Sequence, residues 1–173
     1  MAVTLRSKSF VLRPFRRGDE TSLRRNINNG KIYRYTLRIP HPYTLKHAKE
    51  WVHKNLQLQR KEKPSQVSFA IDSNGEVIGG IGLSSIENHK AELGYWLAEK
   101  HWGKGIMTKA VKLVCNFGFR SLKLKRIYAT VQPRNKPSVG VLEKNGFLFE
   151  GIMKKSYKKD GKLLDGLMYA KTR

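Results

Sequence analysis

The chain has 173 residues and is 39% hydrophobic, with three Trp, seven Tyr and seven Phe, enough for one domain with its own core. Its 35 Lys and Arg stand against 13 Asp and Glu, a net charge of +22, which attracts anionic partners and repels polycations. One cysteine excludes an internal disulfide, no Cys/His cluster suggests a metal, and no apolar run approaches the roughly 20 residues of a membrane helix, so a cytoplasmic protein is expected.

The N-terminal stretch MAVTLRSKSFVLRPF lacks the uninterrupted apolar core of a signal peptide. Ser9 to Phe15 reads as a first strand ended by Pro14. Gly18-Asp19-Glu20-Thr21 starts a helix with acidic residues where the dipole favours them, and Asn28-Asn29-Gly30 stops it. Lys31 to Tyr43 is expected to be a loop, with Pro40 and Pro42 excluding regular structure. Thr44 caps a second helix with Leu45, Ala48, Trp51, Val52, Leu56 and Leu58 mostly on one face, broken by Glu62-Lys63-Pro64-Ser65. A hairpin follows: Val67 to Ile71, a turn at Asp72-Ser73-Asn74-Gly75, then Val77 to Leu83. Further strands are expected at Glu92 to Ala98, Arg126 to Val131, Phe147 to Met153 and Leu164 to Ala170, with a Lys-rich turn around Asp160-Gly161. The order β-α-α-β-β-β-α-β-α-β-β is α/β with a mixed sheet, and its hairpins exclude a purely parallel doubly wound arrangement.

The most informative stretch is Ala91 to Lys112. The strand Glu92-Leu93-Gly94-Tyr95-Trp96-Leu97 runs into the turn Trp102-Gly103-Lys104-Gly105. A helix then starts at Ile106, with Met107, Ala110, Val111, Leu113, Val114 and Phe117 at helical spacing. Two glycines one residue apart let the backbone approach a ligand, and the helix behind them offers unpaired N–H groups and a positive dipole end to an anion. Lys104 adds a formal charge. The physical expectation is a pyrophosphate site, although the stretch contains neither G-x-x-x-x-G-K-[ST] nor G-x-G-x-x-G. A second constellation runs from Val131 to Phe147. Asn135 suits the N-cap of a short helix, Pro137 falls in its first turn, and Asn145-Gly146 ends it in a left-handed stop.

Both stretches resemble the signatures of the GNAT N-acetyltransferases. The pattern [RQ]-x-x-G-x-[GA] falls on Trp102 to Met107, with Trp102 in place of Arg or Gln and Met107 in place of the small residue. Gly-Tyr-Trp-Leu followed by Trp-Gly-Lys-Gly and Thr108 is similar to the ribosomal-protein alanine/serine N-acetyltransferase-like branch. Asn-x-x-Ser before Val-Leu-Glu-Lys-x-Gly-Phe matches the second signature, and the element order resembles the GNAT fold over nearly the whole chain. The resemblance implies one GNAT domain over residues 1–173, a mixed and mostly antiparallel sheet flanked by helices. It also implies acetyl-CoA as cosubstrate with no metal.

By that resemblance, Tyr95, Trp96, Leu97, Trp102, Gly103, Lys104, Gly105, Ile106, Met107 and Thr108 surround the cofactor. Asn135 meets the pantetheine arm, and Arg134 or Lys136 meets the 3′-phosphate. Transfer is direct, so Cys115, mid-helix by its spacing, is read as core. An acceptor amine must lose a proton before it attacks, and Glu92 is the candidate base, acting through water. Many GNAT enzymes carry a tyrosine acid four residues after the Ser138 position. Leu142 stands there, so Ser138 is expected to hydrogen-bond the thiolate, with backbone N–H groups near Leu97 polarising the carbonyl. Tyr33, Tyr35, His41 and Tyr43 lie in the loop expected over the acceptor.

The implied acceptor is a protein N-terminal amine, ribosomal proteins above all, and the charge disfavours polyamines. A small-molecule amine acetyltransferase is the alternative enzyme. A non-catalytic ribosome- or RNA-binding protein on the same fold is the alternative outside enzymes. Its phosphate contacts would come from the tail (Lys154, Lys155, Lys158, Lys159, Lys162) and the basic N-terminus (Arg13, Arg16, Arg17, Arg24, Arg25). Docking on ribosomal RNA or an acidic protein, as a monomer or a dimer, completes the expectation.

Overall fold

In the computed structural model, which describes residues 3–173, the chain forms one eight-stranded sheet with helices on both faces. The strands are β1 (Leu5–Arg6), β2 (Val11–Pro14), β3 (Val67–Ser73), β4 (Glu76–Glu87), β5 (Lys90–Leu97), β6 (Arg126–Val131), β7 (Leu148–Lys159) and β8 (Lys162–Thr172). The helices are α1 (Glu20–Ile27), α2 (Gly30–Tyr35), α3 (Leu45–Gln59), α4 (Ile106–Arg120) and α5 (Lys136–Lys144). The sheet order is β1-β2-β3-β4-β5-β6-β8-β7, antiparallel at every junction except β5–β6, which is parallel.

Alternation along the strands sends side chains to two cores. On one face, Phe69, Ile71, Ile81 and Leu83 pack with Val111, Val114 and Phe117 of α4, and the Phe69 and Phe117 rings meet edge-on at 5.6 Å. On the other, Ala70 and Val77 pack with Phe15, just after β2, and with Leu23, Ile27, Ile32 and Val52 of α1 to α3. Arg13 of β2 crosses to α1. Its guanidinium donates to both Asp19 oxygens at 2.8 and 2.9 Å and to Asp72 at 2.6 Å, so the buried charge is paired.

Two elements differ from the sequence expectation. The segment from Lys31 to Tyr43 is a loop only in part, because α2 occupies its start. Asn29 caps it by accepting from the N–H groups of Lys31 and Ile32, and Ile32 is buried. Gly30 therefore opens a helix rather than stopping one. The short β1, paired with β2 at Leu5 and Arg6, extends the sheet by one strand beyond those expected.

The feature that positions the site is the β5–β6 junction. Pairing is confined to Lys90, Ala91 and Glu92 against Arg126, Ile127 and Tyr128. Beyond it β5 stays with β4 through Leu97, and β6 stays with β8 through Val131, so the two parallel strands part.

Candidate functional site

A cavity of about 980 Å³ opens at this divergence. Its walls are the outer half of β5, the end of β6, the start of α4, the start of α5, and the chain from α2 into the following loop. Of the residues singled out from sequence, Glu92, Tyr95, Trp96, Leu97, Trp102, Gly103, Gly105, Ile106, Met107, Thr108, Asn135 and Ser138 line it. Lys104 and Lys136 are exposed and stand outside the lining, as does Arg134.

At one end lies the Gly103–Gly105 turn. Both glycines hold positive φ, +73° and +70°, and a Cβ added to either would meet no atom within 4 Å. Gly105 is the residue before α4 and provides no side-chain cap, so the first N–H groups of a 15-residue helix face the turn. Backbone donors, a dipole end and clear space in front of the glycines together suit a diphosphate. Trp102 has a different duty from the Arg or Gln it replaces: its indole N–H donates to the Leu97 carbonyl at 2.7 Å and ties the turn to the end of β5.

Mid-cavity, Tyr95 and Ser138 meet. The phenol oxygen lies 2.8 Å from Ser138 Oγ and 3.3 Å from the Ser138 carbonyl. Burial pushes the Tyr95 phenol up to about 12, against a smaller opposing pull from the Ser138 hydrogen bond. Asn135 caps α5 through its side-chain oxygen, which accepts the Ser138 N–H at 3.2 Å, so the cap also fixes the backbone of the serine. Leu142 is fully buried, and Cys115 is buried with its thiol raised to about 12 by loss of solvent, which suits core rather than chemistry.

At the other end Glu92 lies at the last position where β5 pairs with β6. Its carboxylate sits 3.6 Å from the guanidinium of Arg38, an exposed residue of the loop after α2. Tyr35 and Tyr43 line the cavity, whereas Tyr33 and His41 do not. Tyr33 instead anchors α2 to the β7–β8 hairpin: its hydroxyl donates to Asp160, and the Lys159 ammonium lies over its ring at 3.8 Å while donating to the Tyr33 and Thr36 carbonyls.

His101 was not visible as a site residue in the sequence. It lines the cavity beside Trp102, and its Nε2 is buried with no hydrogen-bond partner among the described residues. Burial lowers its pKa, and Lys100 and Lys104 lower it further, which favours the neutral ring. A lone histidine in a turn offers no sequence pattern from which this follows. No group of three or more His, Cys, Asp or Glu among the described residues is arranged to hold a metal ion.

Comparison with known proteins agrees with this geometry. The acetyltransferase (GNAT) domain family matches residues 9–148. Over 132 residues the chain is 36% identical to the uncharacterised N-acetyltransferase p20 of Bacillus licheniformis, spanning 75% of this chain and 74% of that one. Two relatives from Escherichia coli K12 carry acceptors in their names. Ribosomal-protein-serine acetyltransferase is 37% identical over 90 residues, 51% of this chain and 50% of that one. Spermidine N(1)-acetyltransferase is 29% identical over 146 residues, 83% and 75% of the two chains. Among solved structures, RimJ of Mycobacterium smegmatis in complex with CoA-disulfide has a TM-score of 0.84 and 28% identity, with 99% of this chain and 86% of that one covered.

Proposed function

The chain belongs to the GNAT acetyltransferase family, and from that premise we propose that it transfers acetyl from acetyl-CoA directly to the N-terminal α-amine of a protein, ribosomal proteins first among them. The observation that carries this is the meeting, in one cavity, of an uncapped helix N-terminus behind two open glycines with Ser138 and Glu92. Acetyl-CoA supplies the activated acyl group and a thiol leaving group. The residues of the chain hold and orient. The N–H groups at the Gly103–Gly105 turn and the start of α4 take the diphosphate, and the divergence of β5 from β6 admits the pantetheine arm between the strands. Backbone N–H groups of β5 beyond Glu92 are candidates to stabilise charge on the acyl oxygen, while Ser138 faces the sulfur. Glu92 accepts the proton of the acceptor ammonium, directly or through water, after the acceptor has displaced Arg38.

The lining also bears on the acceptor. Lys31, Arg38, Lys54 and Lys144 line it with only Glu50 and Glu92 as carboxylates, a poor match for a polyamine carrying several positive charges. An α-amine with one charge, on a chain whose other groups are neutral or acidic, suits it better. The net charge of +22 further supports docking on an acidic protein or ribosomal RNA. A second reading, a small amine as acceptor, draws on the spermidine-acetylating relative.

Calorimetry of acetyl-CoA with wild type beside Gly105→Glu tests the proposal. The substitution forces a side chain into a backbone with φ +70° and sets a negative charge where the diphosphate is proposed to lie. Affinity should fall by more than about a hundredfold, ~2.7 kcal/mol. Wild-type protein that fails to bind acetyl-CoA would overturn it. Initial rates with N-terminal peptides of ribosomal proteins against spermidine then separate the two acceptor readings.

A further inference from the structure

The phenol of Tyr95 comes from β5 and the hydroxyl of Ser138 from α5, and their oxygens meet at 2.8 Å on the cavity wall. A serine hydroxyl by itself is a poorly directed donor. It rotates among staggered positions and, near a helix start, readily turns back onto a backbone carbonyl. Here the Ser138 backbone is already fixed, because its N–H is held by the Asn135 side chain at 3.2 Å and by the Asn135 carbonyl at 3.1 Å. Only the rotor is left to set. The phenol is the more acidic of the two hydroxyls and so the better donor. Its contact to Oγ, at 2.8 Å, is shorter than the one to the Ser138 carbonyl, at 3.3 Å.

We infer that Tyr95 is a positioning residue for Ser138: its phenol donates into Ser138 Oγ and leaves the serine hydrogen directed at the departing sulfur. This rests on the role proposed above for Ser138. In the transfer, a bond forms between the acceptor nitrogen and the acyl carbon, and the carbon–sulfur bond breaks with its electron pair going to sulfur. Glu92 has already taken one proton from the ammonium; the second, released from nitrogen as the amide forms, passes to the departing sulfur, whose negative charge the serine hydrogen meets until then. Tyr95 gives up no proton. Burial keeps its phenol protonated far above neutrality, so it donates throughout the working range of pH. Leu142, four residues after Ser138, is fully buried and outside the cavity lining, so no side chain at that position reaches the cavity.

The test compares wild type, Tyr95→Phe, Ser138→Ala and the double variant in two measurements. Steady-state kinetics should show kcat lowered about tenfold to a hundredfold in Tyr95→Phe with KM for acetyl-CoA little changed, and the double variant no slower than Ser138→Ala. Ultraviolet titration of the thiolate of bound CoA, which needs no turnover, should place its pKa about one pH unit higher in Tyr95→Phe than in wild type, a tenfold change. A Tyr95→Phe enzyme with wild-type kcat and thiol titration beside an impaired Ser138→Ala overturns the inference alone, as do additive losses in the double variant. An unimpaired Ser138→Ala overturns the role of Ser138 as well, and CoA that fails to bind wild type overturns the whole reading.

Discussion

Glu76, at the start of β4, shows how one side chain ties the scaffold to the site. Its carboxylate accepts from Asn26 Nδ2 at 2.8 Å and from Lys100 Nζ at 3.0 Å, and it pairs with Arg25 at 3.0 Å. Asn26 and Arg25 belong to α1, whereas Lys100 belongs to the single turn that leads through His101 and Trp102 into the Gly103–Gly105 turn. Glu99 holds the same turn from the α2 side through Asn29 and Lys31. The hydrogen bond from Asn26 first, then those from Lys100 and Arg25, bring the Glu76 carboxyl down to about 2 from the ordinary 4.5. A folded pKa below the unfolded one means that the unfolded chain binds the proton first as pH falls. The stabilisation is therefore complete above about pH 4.5 and is lost as pH drops toward 2. Glu76→Gln should unfold at lower denaturant than wild type at pH 7, and its stability should decline less between pH 4.5 and pH 2. Denaturant titrations at several pH values measure both. An unchanged acid slope would assign the sensitivity to other carboxylates.

At the scale of elements, β5 leaves β6 while it stays paired with β4, and the glycines of β4 shape that pairing. A Cβ on Gly80 would lie 2.6 Å from the Trp96 indole nitrogen, and one on Gly82 would lie 2.5 Å from the Val67 carbonyl. Gly80 therefore gives Trp96 its seat across β4, on the face of the second core. Gly80→Val should cost about 1–3 kcal/mol of stability through overpacking. Gly94→Ala, on β5 with open space around it, should stay within about 0.5 kcal/mol of wild type in the same denaturation series. Equal costs at the two positions would mean that strand propensity, rather than the seat of Trp96, decides.

The sequence shows where strand and glycine turn alternate here, but not that an indole fills the place of a side chain, because that depends on cross-strand register. The same divide runs through the chain. The Gly103–Gly105 turn with α4, the Thr44 and Asn135 caps and the Gly146 stop at φ +76° are local, set by residues a few positions apart, and each was legible. The parting of β5 from β6 and the Tyr95–Ser138 contact depend on residues dozens of positions apart and were not. The helix α2 was hidden for another reason. Six residues with one buried apolar side chain leave too weak a period beside Pro40 and Pro42, and its cap, Asn29, also reads as a stop.

For the molecule as a whole, charge is the governing quantity. With 35 basic and 13 acidic side chains, one-to-one pairing leaves at least 35 − 13 = 22 cations without an acidic partner. That excess acts on folding and on binding with opposite signs. Self-repulsion weakens the compact state, while the same field draws an anionic ligand toward the cavity. Both effects operate between exposed charges and so shrink together when the Debye length drops from about 30 Å at 0.01 M salt to about 10 Å at 0.1 M. Ion pairs buried like that of Arg13 with Asp19 and Asp72 are screened far less and contribute little to the change. Raising salt over this range should therefore raise Tm, by about 2–4 °C for each 1 kcal/mol of repulsion relieved, and should weaken acetyl-CoA binding. Thermal scans and calorimetry on one preparation follow the two together. A Tm that falls with salt would mean that surface ion pairs outweigh the repulsion. An affinity indifferent to salt would confine cofactor attraction to the backbone donors of the Gly103–Gly105 turn and leave the remaining cations for a larger anionic partner.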